Sequence, residues 1–379
     1  MIYLDNGATT FPKPISVITE VNRAMREFGA NPGRSGHDMS VKASEKIYKC
    51  RDRISKLFNT DNPEKIIFTS NCTSALNTVI HGLLREGDHV IISSFEHNSV
   101  LRPIEELTKK GVTYTVAEVV PCDDEKTVDN FRNSIKSNTK LVVCTHASNV
   151  FGIKLPIEKL GALCRIYGIL FCVDAAQTAG TVNIDIGNSY IDFLCTSGHK
   201  GLYGPMGTGI LVINSDTLPD TLIQGGTGSM SLEKKQPHIL PDMYESGTPN
   251  LIGIVGLSEG VNFVLNNKPE NLYKKEMNLI LYAYDKLKTF NNVVLYTEKP
   301  NFLHYVPVLS FNIKGLESEQ TAEILNNKYK IAVRAGYHCA PLAHKNLNTD
   351  KSGTVRIVIS AFTTQKDINY FINAVSSIK

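Results

Sequence analysis

Short runs rich in valine and isoleucine, with little polar alternation, punctuate the first two-thirds of the chain. They cover residues 65–70, 90–93, 140–145, 169–173, 191–195 and 209–213. Such runs predict strands buried on both faces, as in a mostly parallel sheet covered by helices. Between them, apolar positions recur at helical spacing. Helices are predicted over 73–84, after a Ser-Asn-Cys-Thr cluster suited to capping, and over 101–109 and 157–167. The alternation of strand and helix predicts an α/β domain. From about Gly253 the texture changes. Segments 257–265 and 272–290 read as helices, and 306–312, 329–334 and 355–360 as strands of a smaller α+β unit. The expected organisation is a large domain over 15–260, a small C-terminal domain over 261–379, and an N-terminal segment, 1–14, packed on the small one. Segment 225–241, with its glycine, serine and lysine, is the expected mobile loop.

In open α/β sheets, ligands bind beyond the carboxyl ends of the strands. Five polar clusters follow predicted strands: Thr69-Ser70-Asn71-Cys72-Thr73, Glu96-His97-Asn98, His146-Ala147-Ser148-Asn149, Asp174-Ala175-Ala176-Gln177 and Ser197-Gly198-His199-Lys200. The last continues into the turn Gly201-Leu202-Tyr203-Gly204-Pro205-Met206-Gly207-Thr208-Gly209. A lysine taken at random is a solvated surface charge, and a glycine-rich turn alone could merely close a hairpin. An apolar strand before Lys200 and the turn after it argue for a chemical role. An acid at one strand end and Ser-x-His-Lys at another suit pyridoxal 5'-phosphate (PLP). That cofactor needs a lysine for its aldehyde, an anion for its ring nitrogen and donors for its phosphate.

Composition narrows the partners. The chain has 379 residues, is 42% hydrophobic and 20% charged, and carries a formal net charge of +3. That charge gives no argument for nucleic acid or a membrane surface. No stretch approaches the roughly 20 apolar residues of a membrane helix, and the first residues do not read as a signal peptide. The eight cysteines include no Cys-x-x-Cys pair, which argues against zinc or a redox dithiol. Cys144, Cys172 and Cys195 lie inside apolar runs and read as small core residues. A reducing, cytoplasmic setting is expected.

The motifs together resemble the PLP-dependent enzymes of aminotransferase class V, of fold type I, and among them the cysteine desulfurase and selenocysteine lyase family. The opening Leu4-Asp5-Asn6-Gly7-Ala8-Thr9-Thr10 is similar to the family's Leu-Asp-Asn-Ala-Ala-Thr-Thr. Glu245-Ser246-Gly247-Thr248-Pro249-Asn250 resembles its Glu-x-Gly-Thr-Pro-Asn, and Arg334-Ala335-Gly336-Tyr337-His338-Cys339-Ala340 its Arg-x-Gly-x-His-Cys-Ala. The resemblance extends to Thr354-Val355-Arg356-Ile357, over essentially the whole chain.

The resemblance implies a role for each residue. Lys200 corresponds to the Schiff-base lysine. A free lysine, with a pKa of about 10.4, is protonated at neutral pH and a poor nucleophile until its site changes that. Asp174 would bond the pyridine nitrogen, Gln177 the phenolic oxygen, and His97 would stack on the ring and shuttle a proton. Thr73, with Cys72 beside it, Ser197 and His199 would serve the cofactor and its phosphate at a helix opening. Thr248 would reach the phosphate of a neighbouring subunit, which implies a homodimer with shared sites. Arg356, assisted by Asn149, would grip the substrate carboxylate with two parallel donors. Arg334 suits either substrate binding or an interdomain ion pair. Cys339 would receive sulfur as a persulfide; it is the cysteine in a polar setting flanked by glycine and proline.

The implied reaction converts L-cysteine to L-alanine and leaves a persulfide on Cys339. The alternatives are a selenocysteine lyase acting on L-selenocysteine, another class-V reaction such as transamination or racemisation, and a non-catalytic sulfur-relay scaffold. A sulfur-acceptor protein is a further expected partner. The segment Asn31-Pro32-Gly33-Arg34-Ser35-Gly36-His37 matches the family only in part. It puts Arg34 and His37 near the mouth of the site, His37 as a substrate-binding candidate. The cysteine motif resembles the subgroup with a short cysteine loop, and its continuation to His344 suggests a separate branch.

Overall fold

The long apolar runs become the middle of one large sheet. The computed structural model describes residues 1–33 and 35–378; Arg34 lies outside them. A short strand, β1 (Ile2–Tyr3), opens the chain. Seven strands then form the main sheet: β2 (Ile66–Thr69), β3 (His89–Ser93), β4 (Thr113–Ala117), β5 (Thr139–Thr145), β6 (Leu170–Asp174), β7 (Phe193–Ser197) and β8 (Gly209–Ile213). Their spatial order is β2-β8-β7-β6-β5-β3-β4. All are parallel except β8, which runs antiparallel to both β2 and β7.

Successive residues on a strand point to opposite faces, and here both faces are apolar. Ile91, Val142, Phe171, Val173 and Leu194 join the core on one side. Val90, Ile92, Val143, Cys172 and Phe193 join the core on the other. Double burial explains why these strands read as continuous apolar runs. Strand β4 is different. It is an edge strand with exposed and buried residues mixed, so it carries no such run and the apolar pattern missed it. Two strands are displaced from their predicted positions. The ladder pairs Asp174 with Thr145 and Cys195, and Ser197 with Gly209. Asp174 and Ser197 are therefore the last residues of β6 and β7, held by the sheet itself.

The second unit is a three-stranded antiparallel sheet, β9 (Val293–Leu295), β10 (Val308–Ile313) and, after the short β11 (Ile331–Ala332), β12 (Val355–Val358). Its order is β12-β10-β9. Leu309, Phe311, Ile357 and Phe371 are among the residues of its own core. The predicted strand 329–334 shrinks to β11, because Tyr329 still belongs to the helix Ser318–Tyr329. β1 pairs in parallel with β11. The chain passes between the two units through helices Leu251–Asn267 and Pro269–Leu287, so residue 260 lies inside a helix. No helix among the described residues is long and apolar enough to cross a membrane.

Candidate active site

Residues at or just after the ends of β2, β3, β5, β6 and β7 line one cavity of about 240 Å³. Arg334, His338 and Arg356 of the smaller unit close it. Asp174 is 4% exposed. Its Oδ1 accepts the Ala176 amide at 2.9 Å and the Cys72 thiol at 3.4 Å. Both donors fall on one oxygen, and Oδ2 has no protein partner among the described residues. Burial, reinforced by the Asp174 charge, pushes the Cys72 thiol far up in pKa. Cys72 therefore stays a neutral donor.

Cys72 and Thr73 open the helix Cys72–Leu83, capped by Asn71, whose side chain accepts from the Ser74 amide at 2.9 Å. The Ala75 amide bonds the Asn71 carbonyl. The amides of Cys72 and Thr73 are left at the opening, where the helix dipole favours an anion. This opening sits tightly against β8. A Cβ on Gly209 would come within 2.4 Å of the Asn71 backbone, so only glycine allows the approach. Ser197 and His199 lie beside it in the cavity wall. His199 Nδ1 is buried without a partner. Burial, with Lys200 and Lys13 nearby, lowers the His199 pKa to about 4, so its ring is neutral.

Lys200 follows β7 in the turn that the sequence marked. The turn folds back tightly: a Cβ on Gly198 would lie 2.2 Å from Thr208 Oγ1. Burial lowers the Lys200 pKa; the nearby Asp174 opposes that and Arg356 and Arg334 add to it. A lysine so placed yields its proton more readily than a surface lysine. Gln177 lines the same wall, with its amide on the Gly7 carbonyl at 3.3 Å.

His97 caps the helix Asn98–Thr108. Its Nδ1 accepts the Ser99 amide at 3.1 Å and meets Ser99 Oγ at 2.9 Å. An amide can only donate, so Nδ1 carries no proton and Nε2 does. Burial brings the His97 pKa down to about 4 against the pull of Asp174, so the ring is neutral at working pH.

Arg356 is 1% exposed. Its Nη1 donates to the Asn149 carbonyl at 2.7 Å and its Nη2 to Asp5 Oδ1 at 2.9 Å. Its Nε is buried with no partner. Asn149 itself lines the cavity and donates to the His338 carbonyl at 2.7 Å. Asn149 thus supports Arg356 through its carbonyl and the cysteine loop through its amide.

Three residues lie outside the lining. Cys339 is exposed, with Arg334 Nη2 3.9 Å from its sulfur. The Asn98 amide holds its carbonyl at 2.7 Å. Its neighbours Arg334 and His338 line the cavity, so the thiol stands at the rim. Thr248 is exposed at the tip of the loop before helix Leu251–Asn267. Glu245 anchors one side of that loop through Arg51 and the Phe68 amide, the latter at 2.6 Å. Asn250 anchors the other by capping the helix and reaching the Gly207 carbonyl. His37, expected near the mouth, is an exposed N-cap of helix Asp38–Phe58, its Nδ1 accepting from the Ser40 amide.

Asp5 and Ser99 are partners that the sequence reading did not assign. Asp5 sat inside a motif already noted, beside Asn6, and Ser99 lies just beyond Glu96-His97-Asn98. The donor set fits PLP. A lysine with a lowered pKa, a carboxylate oxygen without a partner, free helix-opening amides and the unpartnered His199 nitrogen share one cavity. They match an aldehyde, a ring nitrogen and a phosphate.

The whole chain also compares closely with known proteins. A family model described as aminotransferase class-V matches residues 2–371. A probable cysteine desulfurase of Pyrococcus abyssi is 32% identical over 389 residues, covering 100% of this chain and 94% of that protein. One from Methanothermobacter thermautotrophicus is 31% identical over 375 residues, covering 97% and 92%. The apo structure of a cysteine desulfurase from Thermococcus onnurineus superposes with a TM-score of 0.91 at 30% identity, covering 99% of this chain and 94% of that one.

Proposed function

Because this chain belongs to the aminotransferase class-V family, whose members use PLP, we propose that it is a cysteine desulfurase that moves sulfur from L-cysteine to Cys339. The observation that carries this reading is the union of Lys200, Asp174, His97 and Arg356 in one cavity with an exposed cysteine at its rim. Lys200 would hold the cofactor aldehyde, Asp174 Oδ2 the ring nitrogen, and the Cys72 and Thr73 amides with Ser197 and His199 the phosphate. Gln177 would hold the phenolic oxygen, and His97 would cover the ring. When bound, PLP supplies an electron sink joined to the substrate α-carbon, which makes the carbon–sulfur bond breakable.

The chain's own residues do the rest. Arg356 binds the substrate carboxylate through Nε and the free protons of its two Nη groups, which fixes the amino acid face to face with Lys200. Lys200 Nζ, once displaced by substrate, takes the α-proton. His97 presents Nε2–H to the cavity and can donate a hydrogen bond near the substrate sulfur. The Cys339 thiolate attacks that sulfur. A sulfur–sulfur bond forms as the carbon–sulfur bond breaks, and the bonding pair stays with the carbon fragment. That fragment takes up protons and leaves as L-alanine, and Cys339 keeps the persulfide; no outside oxidant or reductant is needed.

Three further parts belong to the same reading. The chain divides near residue 260 into a large cofactor domain and a small domain that brings Cys339 and Arg356. It acts as a homodimer in which Thr248, exposed in its own chain, serves the partner's phosphate. It works in the cytoplasm, which accords with eight free cysteines. The test is purified protein given L-cysteine and a thiol reductant, scored for alanine and sulfide. Equal release of the two, lost in Cys339→Ala, is the expected result; a full rate in that variant would sink the reading.

A further inference from the structure

The opening segment, residues 5–13, touches both sides of the site. Asp5 holds Arg356, and the Asn6 amide donates to the Val358 carbonyl at 2.9 Å. A few residues on, the segment closes on the peptide that precedes Lys200. The His199 carbonyl accepts from Thr9 Oγ1 at 3.0 Å, the Thr10 amide at 3.1 Å, Thr10 Oγ1 at 3.2 Å and Lys13 Nζ at 2.8 Å. The Lys200 carbonyl accepts Thr10 Oγ1 at 3.0 Å and the Tyr203 amide at 2.8 Å. A carbonyl oxygen has two lone pairs, so donors from three residues crowd onto the His199 oxygen.

Lys13 brings the one charge among those donors, and charge-assisted bonds are the stronger ones. Its ammonium also reaches Thr10 Oγ1 at 2.8 Å, the hydroxyl within donating distance of both carbonyls. Lys13 is half-buried and has no carboxylate partner among the described residues. Burial alone brings its pKa down to about 8. A cation placed this way gives up solvation without gaining an acid, and its two contacts are the His199 carbonyl and the Thr10 hydroxyl beside it.

We propose that Lys13 is a positioning residue for Lys200: its ammonium fixes the His199–Lys200 peptide and so the direction from which Lys200 Nζ meets the substrate α-carbon. The proposal rests on the reading of Lys200 as the cofactor lysine. A displacement of about 1 Å at a reacting group can cost on the order of a hundredfold in rate, so a hold on this peptide bears directly on turnover. Asp5 belongs to the same short segment, which joins the carboxylate-binding arginine to the lysine across the two units.

The test compares Lys13→Met, Lys13→Arg and Thr9→Val as holoenzymes. Thr9→Val removes one uncharged donor from the same carbonyl. For each, kcat and KM for L-cysteine and the melting temperature are measured. Borohydride reduction followed by peptide mapping records how much cofactor is trapped and on which lysine. Lys13→Met should lower kcat by about tenfold and leave KM within about twofold. It should also slow formation of the reducible link when PLP is added to apo protein. Lys13→Arg should recover most of both losses, and Thr9→Val should lose much less. Loss of melting temperature with unchanged kcat per folded chain would overturn the proposal, as would Lys13→Arg being as slow as Lys13→Met. Cofactor trapped on Lys200 with Lys13→Met turning over like the parent would defeat the Lys13 inference alone. Cofactor trapped on another lysine in the parent would defeat the underlying reading as well.

Discussion

His338 and Cys339 hold consecutive left-handed backbone conformations, with φ of 49° and 58°. Residues other than glycine rarely adopt them, and they persist when their surroundings fix them. Here the Asn149 side chain and the Asn98 amide bond the two carbonyls, which turns the thiol outward. A thiol so presented can give its sulfur to an acceptor. Cys339→Ala should lose nearly all activity on L-cysteine and still bind PLP. On L-selenocysteine it should keep a substantial fraction, because the carbon–selenium bond is weaker and selenide leaves more readily. Parallel rate assays scoring alanine check this, and equal losses on both substrates would contradict it. Glu96 makes a second test. It is fully buried next to His97, bonded by Ser93 and by the Thr145 amide at 2.8 Å, and burial raises its pKa from 4.5 to about 8. Between those values the native state binds the proton that the unfolded chain releases, so stability falls as pH rises. The stabilising share is full below about 4.5 and lost by about 8. Chemical denaturation across that range should show a shallower decline in Glu96→Gln than in the parent; identical slopes would remove Glu96 from the account. The chemistry of Lys200 and Asp174 was legible because each ends an apolar run in a distinctive motif. The Cys72 bond to Asp174 was not, since it joins residues 102 apart that only the fold brings together.

Elements buried on both faces announced themselves, and those at the margin did not. Strands β3, β5 and β8 came out within one residue of their predicted bounds because their middle positions are apolar and buried on both faces. Helices Ile15–Glu27 and Asp38–Phe58 were not read. Each shows mostly polar residues outside a narrow buried stripe, Val17 and Ala24 in the first and residues such as Ala43, Ile47 and Ile54 in the second. Capping was legible at Asn71, where the cluster before residue 73 predicted a helix opening. That element supports a paired prediction. Asn71→Ala should lower stability by about 1 kcal/mol and also weaken PLP binding, because the same turn presents the amides proposed to hold the phosphate. Asp123→Ala removes a comparable cap, from the helix Asp124–Asn133. It should cost about as much stability and leave PLP affinity unchanged. Denaturant melts and cofactor titration separate the two, and equal PLP affinity in both variants would contradict the role given to the Cys72 opening.

The whole molecule joins its two ends around the site. β1 pairs with β11, and Asp5 holds an arginine 351 residues away, contacts that no local pattern encodes. Family resemblance named Arg356 and Cys339; only the fold shows that one stands inside the cavity and the other at its rim. At this scale the shared site can be tested by subunit exchange. Lys200→Ala and Thr248→Ala chains, inactive or impaired apart, should regain activity on mixing, since a hybrid dimer holds one site free of both changes. No recovery after demonstrated exchange, or full activity in a monomer by sedimentation, would rule out the partner's contribution. The central claim is that sulfur from L-cysteine comes to rest on Cys339. Its most direct measurement is a single-turnover reaction of the PLP-loaded enzyme with L-cysteine, without reductant or acceptor, followed by alkylation and peptide mass analysis. The account predicts one alanine released and one extra sulfur on Cys339 per active site; alanine released with the Cys339 peptide unchanged would contradict it.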